Sequence, residues 1–367
     1  MKIECVREKL QEELLRAVRM LGKGNSFPIL SCILLEAKNS TLFIRATNLD
    51  LGIEISLPVK VEKDGKIAVP GTTLSHYISS LSLGNGVVFE EIEGNLSITT
   101  ASGKTTIKAI PHDDFPMIPK LPRENSLGIP IDLFMKGLRS VWYSAAVSTM
   151  KPELSSIYIS IIDGAMYFVA TDAFRLAEKK IPVKNTLACK PILLPVKNCL
   201  DILRVFDNTE GEVEIVFNEN QIAFYFNTCY VTSRLTDGIF PDYRQIIPPT
   251  GTTRVVVLKN DFLNSLKVAT IFTNKFNQSK IAIRPREKRF EITTKNADIG
   301  ENTEAVSAVL EGEDTDITIN YRYLLDCFQS IFTDSVSFEC TDTHKPIVVK
   351  GIGDTSFMYL IMPMNNS

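Results

Sequence analysis

The feature that most constrains this chain is an internal repeat of about 125 residues. Thr47-Asn48-Leu49-Asp50 returns at Thr171-Asp172 and again at Lys295-Asn296, both steps being 124 residues. Phe115-Pro116 returns 125 residues later as Phe240-Pro241. Pro70-Gly71 is matched by Pro195-Val196 and then by the Ile319-Asn320 stretch, again about 125 residues apart. A 367-residue chain holds about three such copies, and roughly 100–200 residues suffice for a domain. The expected organisation is three similar domains, 1–120, 121–248 and 249–367. The Pro-rich stretches Pro116–Pro122 and Pro241–Pro249 are read as linkers, because proline breaks helices and cannot donate to a ladder.

Each third carries the same element pattern. An amphipathic helix opens it: Leu10, Leu14, Ala17, Val18 and Leu21; then Phe134, Leu138, Val141 and Ala145; then Phe262, Leu266, Ala269 and Thr273. These spacings put the apolar residues on one helical face. A second helix follows about 60 residues later, with apolar faces Leu74, Tyr77, Ile78, Leu81; Val196, Leu200, Leu203; and Leu324, Leu325, Phe328, Ile331. Between and after the helices lie short runs such as TLFIRAT, AMYFVAT, IAFYFNT and RFEITT, rich in β-formers and bounded by Gly, Asn and Asp. The fold class is therefore α+β, three tandem similar domains, each with two helices packed on antiparallel sheets.

Composition excludes several functions. Hydrophobic residues make up 44% of the chain, yet no run approaches the roughly 20 apolar residues that span a bilayer. No apolar h-region follows the start, so neither a membrane span nor a secretory signal is expected. The seven cysteines are scattered without metal or redox spacing, which reads as reduced core thiols of a cytosolic protein. His76, His112 and His344 stand apart from any metal motif, so no metal or cofactor is expected. There is no phosphate loop, no dinucleotide fingerprint and no nucleophile elbow, and no catalytic constellation emerges.

The net charge of −3 argues against a protein held to nucleic acid by overall positive charge. Its distribution is uneven. The six helical segments carry +3 together and the remainder −6. Lys9, Arg16, Arg19, Lys136, Arg139, Lys197, Arg204, Lys267 and Arg322 supply the helical positive charge. Such side chains reach phosphates without reading bases, although solvated helix faces are basic for no such reason equally often.

SFPILSCILLEA (26–37), ATNLDLGIEI (46–55), ATDAFRLA (170–177), LTDGIFPDYRQIIP (235–248) and the final YLIMPM (359–364) closely resemble the bacterial DNA polymerase III β subunit family, the sliding clamps. The resemblance runs the length of the chain. It implies the DNA clamp fold, in which three domains form a crescent and two crescents join head to tail into a homodimeric ring. Helices line the hole and sheets form the outside. The ring encircles double-stranded DNA, is loaded by an ATP-driven clamp loader, and tethers the catalytic subunit of DNA polymerase III. It has no enzymatic activity and acts in the cytoplasm, at the nucleoid.

The resemblance also implies sites. A pocket for short peptide segments of polymerases, the loader and repair proteins maps to Leu154, Thr171, Ala173, Phe174, Arg175, Leu176, Pro241, Ile246, Phe276, Asn320, Tyr323, His344, Pro346, Leu360, Ile361, Met362, Pro363 and Met364. Ala173-Phe174 stand where the family commonly has Gly-His, and Gln245 where it commonly has Arg, so the pocket floor is expected to be more apolar and its rim less basic. A DNA-contacting loop maps to Lys23-Gly24-Asn25, with Lys23 as the contact. The dimer seam maps to Lys104 and Ile107 against Ile271 and Phe272, with Glu301 and Glu304 nearby. A peptide-gathering scaffold that never meets DNA, or an unrecognised enzyme, are the alternatives.

Overall fold

The structure is a computed structural model that describes residues 1–367 except 23–26, 83, 85, 125, 185–189, 250 and 365–367. The chain folds into two compact units, residues 1–135 with 197–235 and residues 136–196 with 236–367. Each unit holds a sheet that joins strands from two thirds of the repeat.

In the first unit an antiparallel eight-stranded sheet joins two thirds of the sequence. Strands Cys32–Lys38, Thr41–Thr47, Leu51–Pro58 and Gly65–Pro70 come from the first third. Leu127–Pro130, Glu212–Phe217, Gln221–Phe226 and Cys229–Arg234 come from the second. The seam is the pairing of Cys229–Arg234 with Leu51–Pro58, in register from Cys229 opposite Ile55 to Ser233 opposite Leu51. A five-stranded sheet runs Lys60–Lys63, Lys2–Val6, Gly86–Ile92, Asn95–Thr100, Gly103–Ile107.

The second unit repeats this device. Its nine-stranded sheet joins Ser156–Ile162, Ala165–Thr171, Arg175–Pro182 and Ile192–Pro195 to strands of the last third, through Arg175–Pro182 paired with Phe357–Ile361. A four-stranded sheet runs Gly300–Ala305, Arg289–Asn296, Gln278–Arg284, Thr315–Asn320. Backbone hydrogen bonding thus crosses from one third into the next.

Six helices were expected and six form among the described residues: α1 (Arg7–Val18), α2 (Gly71–Ser80), α3 (Ile131–Val141), α4 (Val196–Val205), α5 (Lys259–Thr270) and α6 (Tyr321–Phe328). None is long and apolar enough to cross a membrane. Leu10, Leu14 and Ala17 of α1 are buried, as are Phe134 and Leu138 of α3 and Phe262, Leu266 and Ala269 of α5. The α1–α2 pair is locked by a buried charge. Arg7 donates from Nε to the Ile78 carbonyl at 3.1 Å and from Nη2 to the Ser79 carbonyl at 2.9 Å. Those are carbonyls of the last turn of α2, where a cation is favourable; the Ile78 carbonyl accepts from the Leu81 N–H as well, at 3.4 Å.

Helix α4 differs from expectation. Its buried face is Asn198, Cys199, Ile202, Leu203 and Val205, while Val196 and Leu200 are half-buried. A polar Asn can face inward because its Nδ2 donates to Ser233 Oγ at 3.0 Å, so burial leaves it satisfied. Residues of both linker stretches are docked. Leu121 is buried with Val216, Ala223 and Tyr230, and the Tyr230 hydroxyl donates to the Pro119 carbonyl at 2.7 Å. Phe240 and Tyr243 are buried in an apolar cluster with Val169, Leu176, Leu193, Val348 and Leu360.

Candidate partner-peptide and DNA-facing surfaces

The repeat landmark ATNLD/ATDAF is a turn with a defined chemistry. Thr47 Oγ1 donates to the Leu51 carbonyl at 2.7 Å and accepts from the Leu49 N–H at 3.1 Å. Thr171 does the same with the Arg175 carbonyl and the Ala173 N–H, at 2.7 and 3.1 Å. Asn48 and Asp172 each accept from the two amides that follow the third turn residue. Leu49 and Ala173 consequently adopt φ of 76° and 74°. This left-handed backbone costs a non-glycine residue about 1–3 kcal/mol, and the side-chain bonds hold it in place. In the third copy Lys295 replaces the Thr, and only the Asn296 to Asp298 N–H bond is kept, at 3.0 Å.

In the second unit this turn positions the expected peptide pocket. The Met362 N–H donates to the Phe174 carbonyl at 2.8 Å, and the Met364 N–H donates to the Thr318 carbonyl at 2.7 Å. The tail Met362-Pro363-Met364 is therefore tied at one end to the 171–175 turn and at the other to the strand that leads into α6. Asn320 caps α6, its Oδ1 accepting from the Arg322 N–H at 3.0 Å. The guanidinium of Arg175 lies 4.5 Å from the centre of the Tyr323 ring. It also bridges Asp172, at 2.9 Å, and Asp326. Burial opposes its charge, yet Tyr359, Asp326 and Asp172 hold its pKa above the ordinary value.

Beneath this edge Leu176 and Leu360 face each other across the strand pair and are buried with Phe240 and Tyr243. Ile361 and Pro346 are buried as well. Met362, Pro363, Met364, Asn320 and Tyr323 are half-buried. Ala173, Pro241, Ile246 and Phe276 are exposed. Phe174 is 61% exposed, so it stands at the surface and is not the floor expected from the sequence. Gln245 Nε2 donates to Asp242 at 2.8 Å. Leu154 is buried under its own loop, its carbonyl accepting from the Ala146 N–H, and His344 is exposed on a turn held by Asp342. Asp172 and Asp326 escaped the sequence reading. Asp326 lies 151 residues from Arg175, and no local pattern announces that pairing.

The basic helix residues divide into two kinds. Arg16 is paired with Glu12 at 2.9 Å and Glu13 at 3.3 Å, and Arg204 with Asp201 at 2.8 Å. Lys136 lies 4.9 Å from the centre of the Phe332 ring. Arg19, Lys197, Lys267 and Arg322 are exposed and make no ion pair among the described residues, and Arg139 is exposed. Lys23 lies outside the described residues. Of the seam residues, Lys104, Ile271 and Glu301 are exposed, Phe272 and Glu304 half-buried, and Ile107 buried.

Family models for the DNA polymerase III beta subunit match the chain as its N-terminal domain over residues 1–119, its central domain over 128–242 and its C-terminal domain over 244–365. The chain belongs to the DNA polymerase III beta subunit family. A beta sliding clamp of Synechococcus elongatus is 26% identical over 373 aligned residues, covering 99% of each chain. One from Staphylococcus epidermidis is 22% identical with the same coverage. The crystal structure of the DNA polymerase sliding clamp from Bacillus subtilis matches with a TM-score of 0.96 at 23% identity, over 100% of both chains. A Pseudomonas aeruginosa sliding clamp bound to griselimycin matches with a TM-score of 0.95, at 23% identity over 100% of both chains. These matches establish the clamp fold. Proteins of this family are processivity factors and not enzymes.

Proposed function

We propose that the chain acts as a DNA-encircling processivity ring made of two copies. The observation that carries this is the match of all three domain models, end to end along one chain. Three domains, 1–120, 121–248 and 249–367, form each half. Two edge strands support the head-to-tail closure. Gly103–Ile107 pairs only with its neighbour Asn95–Thr100, and Gly300–Ala305 only with Arg289–Asn296, among the described residues. Unpaired edges are templates for pairing with another chain. Lys104 on the first edge and Glu301 and Glu304 on the second have complementary charge. Ile271 and Phe272, just after α5, supply the apolar part.

Enclosure then does what adhesion would do badly. Each phosphate neutralised steepens the salt dependence by about 0.9 on a log–log scale, so a strongly basic lining would hold DNA in one place. Here Arg16 and Arg204 are already offset by carboxylates, which leaves a weak, sequence-blind attraction through Arg19, Lys136, Arg139, Lys197, Lys267 and Arg322, with Lys23 as a further contact. The polymerase catalytic subunit, an ATP-driven loader, and other polymerases and repair proteins dock peptides on the Phe174–Met364 edge. A tethered polymerase rebinds its template intramolecularly. The protein works in the cytoplasm, at the nucleoid.

The test is retention of loaded protein on nicked circular DNA and on the same DNA linearised. Release from the linear form alone is expected. Equal lifetimes on both would refute enclosure.

A further inference from the structure

One cavity of the first unit has no part in the function above. It encloses about 550 Å³, and Phe27, Pro28, Ile29, Leu30, Leu49 and Pro116 line it. Phe27 is 63% exposed and Leu49 48% exposed, so two large apolar side chains stand uncovered there. A second cavity of about 310 Å³ shares Phe27 and Leu30 with it, and its charged lining is Arg19, Lys197, Arg204 and Asp201, three cations to one carboxylate. An apolar hole and a basic one are thus contiguous.

The repeat relates this place to another. Leu30 and Leu49 precede Leu154 and Ala173 by 124 residues, and Pro116 precedes Pro241 by 125. All three later positions belong to the expected partner-peptide pocket. The strands correspond as well: Cys32–Lys38, Thr41–Thr47 and Leu51–Pro58 fall 124 residues before Ser156–Ile162, Ala165–Thr171 and Arg175–Pro182. The turn at each place has the same hydrogen bonds and the same left-handed residue, Leu49 or Ala173.

We propose that the first-unit cavity is a second docking site, for a short acidic peptide that inserts a Leu or Phe side chain. Its analogy rests on the peptide reading of the Phe174–Met364 edge; its chemistry rests on the two cavities. The apolar wall takes the anchor, as small apolar pockets with a few polar neighbours do. Carboxylates beside the anchor meet Arg19 and Lys197, which make no ion pair among the described residues, and Arg204, which shares Asp201. A nucleic acid strand suits the apolar cavity less. Apart from Phe27 its wall is aliphatic, Pro28, Ile29, Leu30, Leu49 and Pro116, and offers no row of aromatic platforms for successive bases. Asp114, the one ionised side chain among the lining residues, opposes any anion, so the peptide's carboxylates lie on the side of Arg19 and Lys197.

The probe is a fluorescein-labelled Glu-Asp-Leu-Phe-Asp-Glu hexapeptide, titrated into the full chain by polarisation and calorimetry. Four proteins are compared: native, Met362→Ala with Met364→Ala, Phe27→Ala with Leu49→Asn, and the combination. Asn suits the positive φ at position 49, and Leu49→Asn alone serves if the pair lowers the melting temperature. Two peptides per native chain, one after either pair and none after both are expected. In the Met362/Met364 variant, Arg19→Glu with Lys197→Glu should weaken the remaining site by about tenfold, or ~1.4 kcal/mol. The proposal is overturned if Phe27→Ala with Leu49→Asn leaves that remaining binding unchanged. It is also overturned if an oligothymidine displaces the peptide there and binds regardless of Phe27 and Leu49. Loss of one site through Phe27 and Leu49, with none lost through the methionines, would sink the tail-edge reading and leave this one standing.

Discussion

The Met362 N–H donates to the Phe174 carbonyl at 2.8 Å, joining residues 188 positions apart in the sequence. This bond continues the ladder in which Ile361 faces Arg175 and Leu360 faces Leu176. It fixes Met362 against a turn whose own conformation is set by Thr171 and Asp172. A surface built in this way is presented by the backbone, so its side chains can be changed without dismantling it.

Replacing Met362 and Met364 together by Ala should therefore weaken a polymerase-tail peptide by about tenfold or more, ~1.4 kcal/mol, with the dimer unaffected. Methionines adapt to irregular apolar partners, and alanine removes that area while leaving both backbone bonds. Fluorescence polarisation decides, and unchanged affinity would move the pocket elsewhere.

Phe272→Asp should give monomers. Phe272 is half-buried near Gly300, at the start of the edge strand Gly300–Ala305, and the preceding Ile271 is 63% exposed. A carboxylate at an apolar interface centre is unpaired and costly, whereas losing a rim pair such as Lys104 with Glu301 costs about 0–1 kcal/mol. Sedimentation would report the change, and a persistent dimer would place the seam elsewhere.

Acid should loosen the first unit at Glu54. Burial alone would raise its pKa, but Lys120, at 2.6 Å, and Arg45, at 2.5 Å, outweigh burial and hold it below the ordinary value. Glu36, beside Arg45 and Lys66, is lowered as well. A folded-state pKa below the unfolded one, about 4.3 for Glu, gives stability that is complete above that value and lost as pH falls through the folded pKa. Thermal melts from pH 7 to 3 should show this loss, and Glu54→Gln should flatten it while lowering stability at pH 7. An acid limb identical in the variant would remove Glu54 from the account.

Tyr230→Phe should release the connector between the first two thirds. The hydroxyl donates to the Pro119 carbonyl at 2.7 Å and accepts from the Leu121 N–H at 3.2 Å. Leaving those groups unpaired costs about 1–3 kcal/mol. Faster limited proteolysis within residues 116–126 is the expected readout; cleavage at the native rate would mean that Leu121 packing suffices.

Among the basic residues, Lys267→Ala or Arg322→Ala should reduce the salt dependence of DNA association more than Arg16→Ala. A contact to phosphate contributes about 0.9 to the log–log slope, and Arg16 is already engaged by Glu12 and Glu13. Equal effects from all three would show that internal pairing does not mute Arg16.

Helices, strands and the threefold repeat were legible in the sequence because they depend on local signals: apolar residues at 3.6 spacing for α1, α3 and α5, β-formers bounded by Gly, Asn and Asp for TLFIRAT and RFEITT, and recurring landmarks at 124–125 residues. The resemblance named the family and most of the tail edge. Long-range pairing was not legible. The strand Cys229–Arg234 lies against Leu51–Pro58, and Phe357–Ile361 against Arg175–Pro182, so compact units cut across the repeats. Nothing local to Asp326 marks it as the partner of Arg175, nor do Val196 and Leu200 reveal that α4 turns Asn198 and Cys199 inward instead. Periodicity records which residues prefer burial. Only the tertiary structure decides against what they are buried, because that choice is made by strand register and by partners that satisfy each buried polar group.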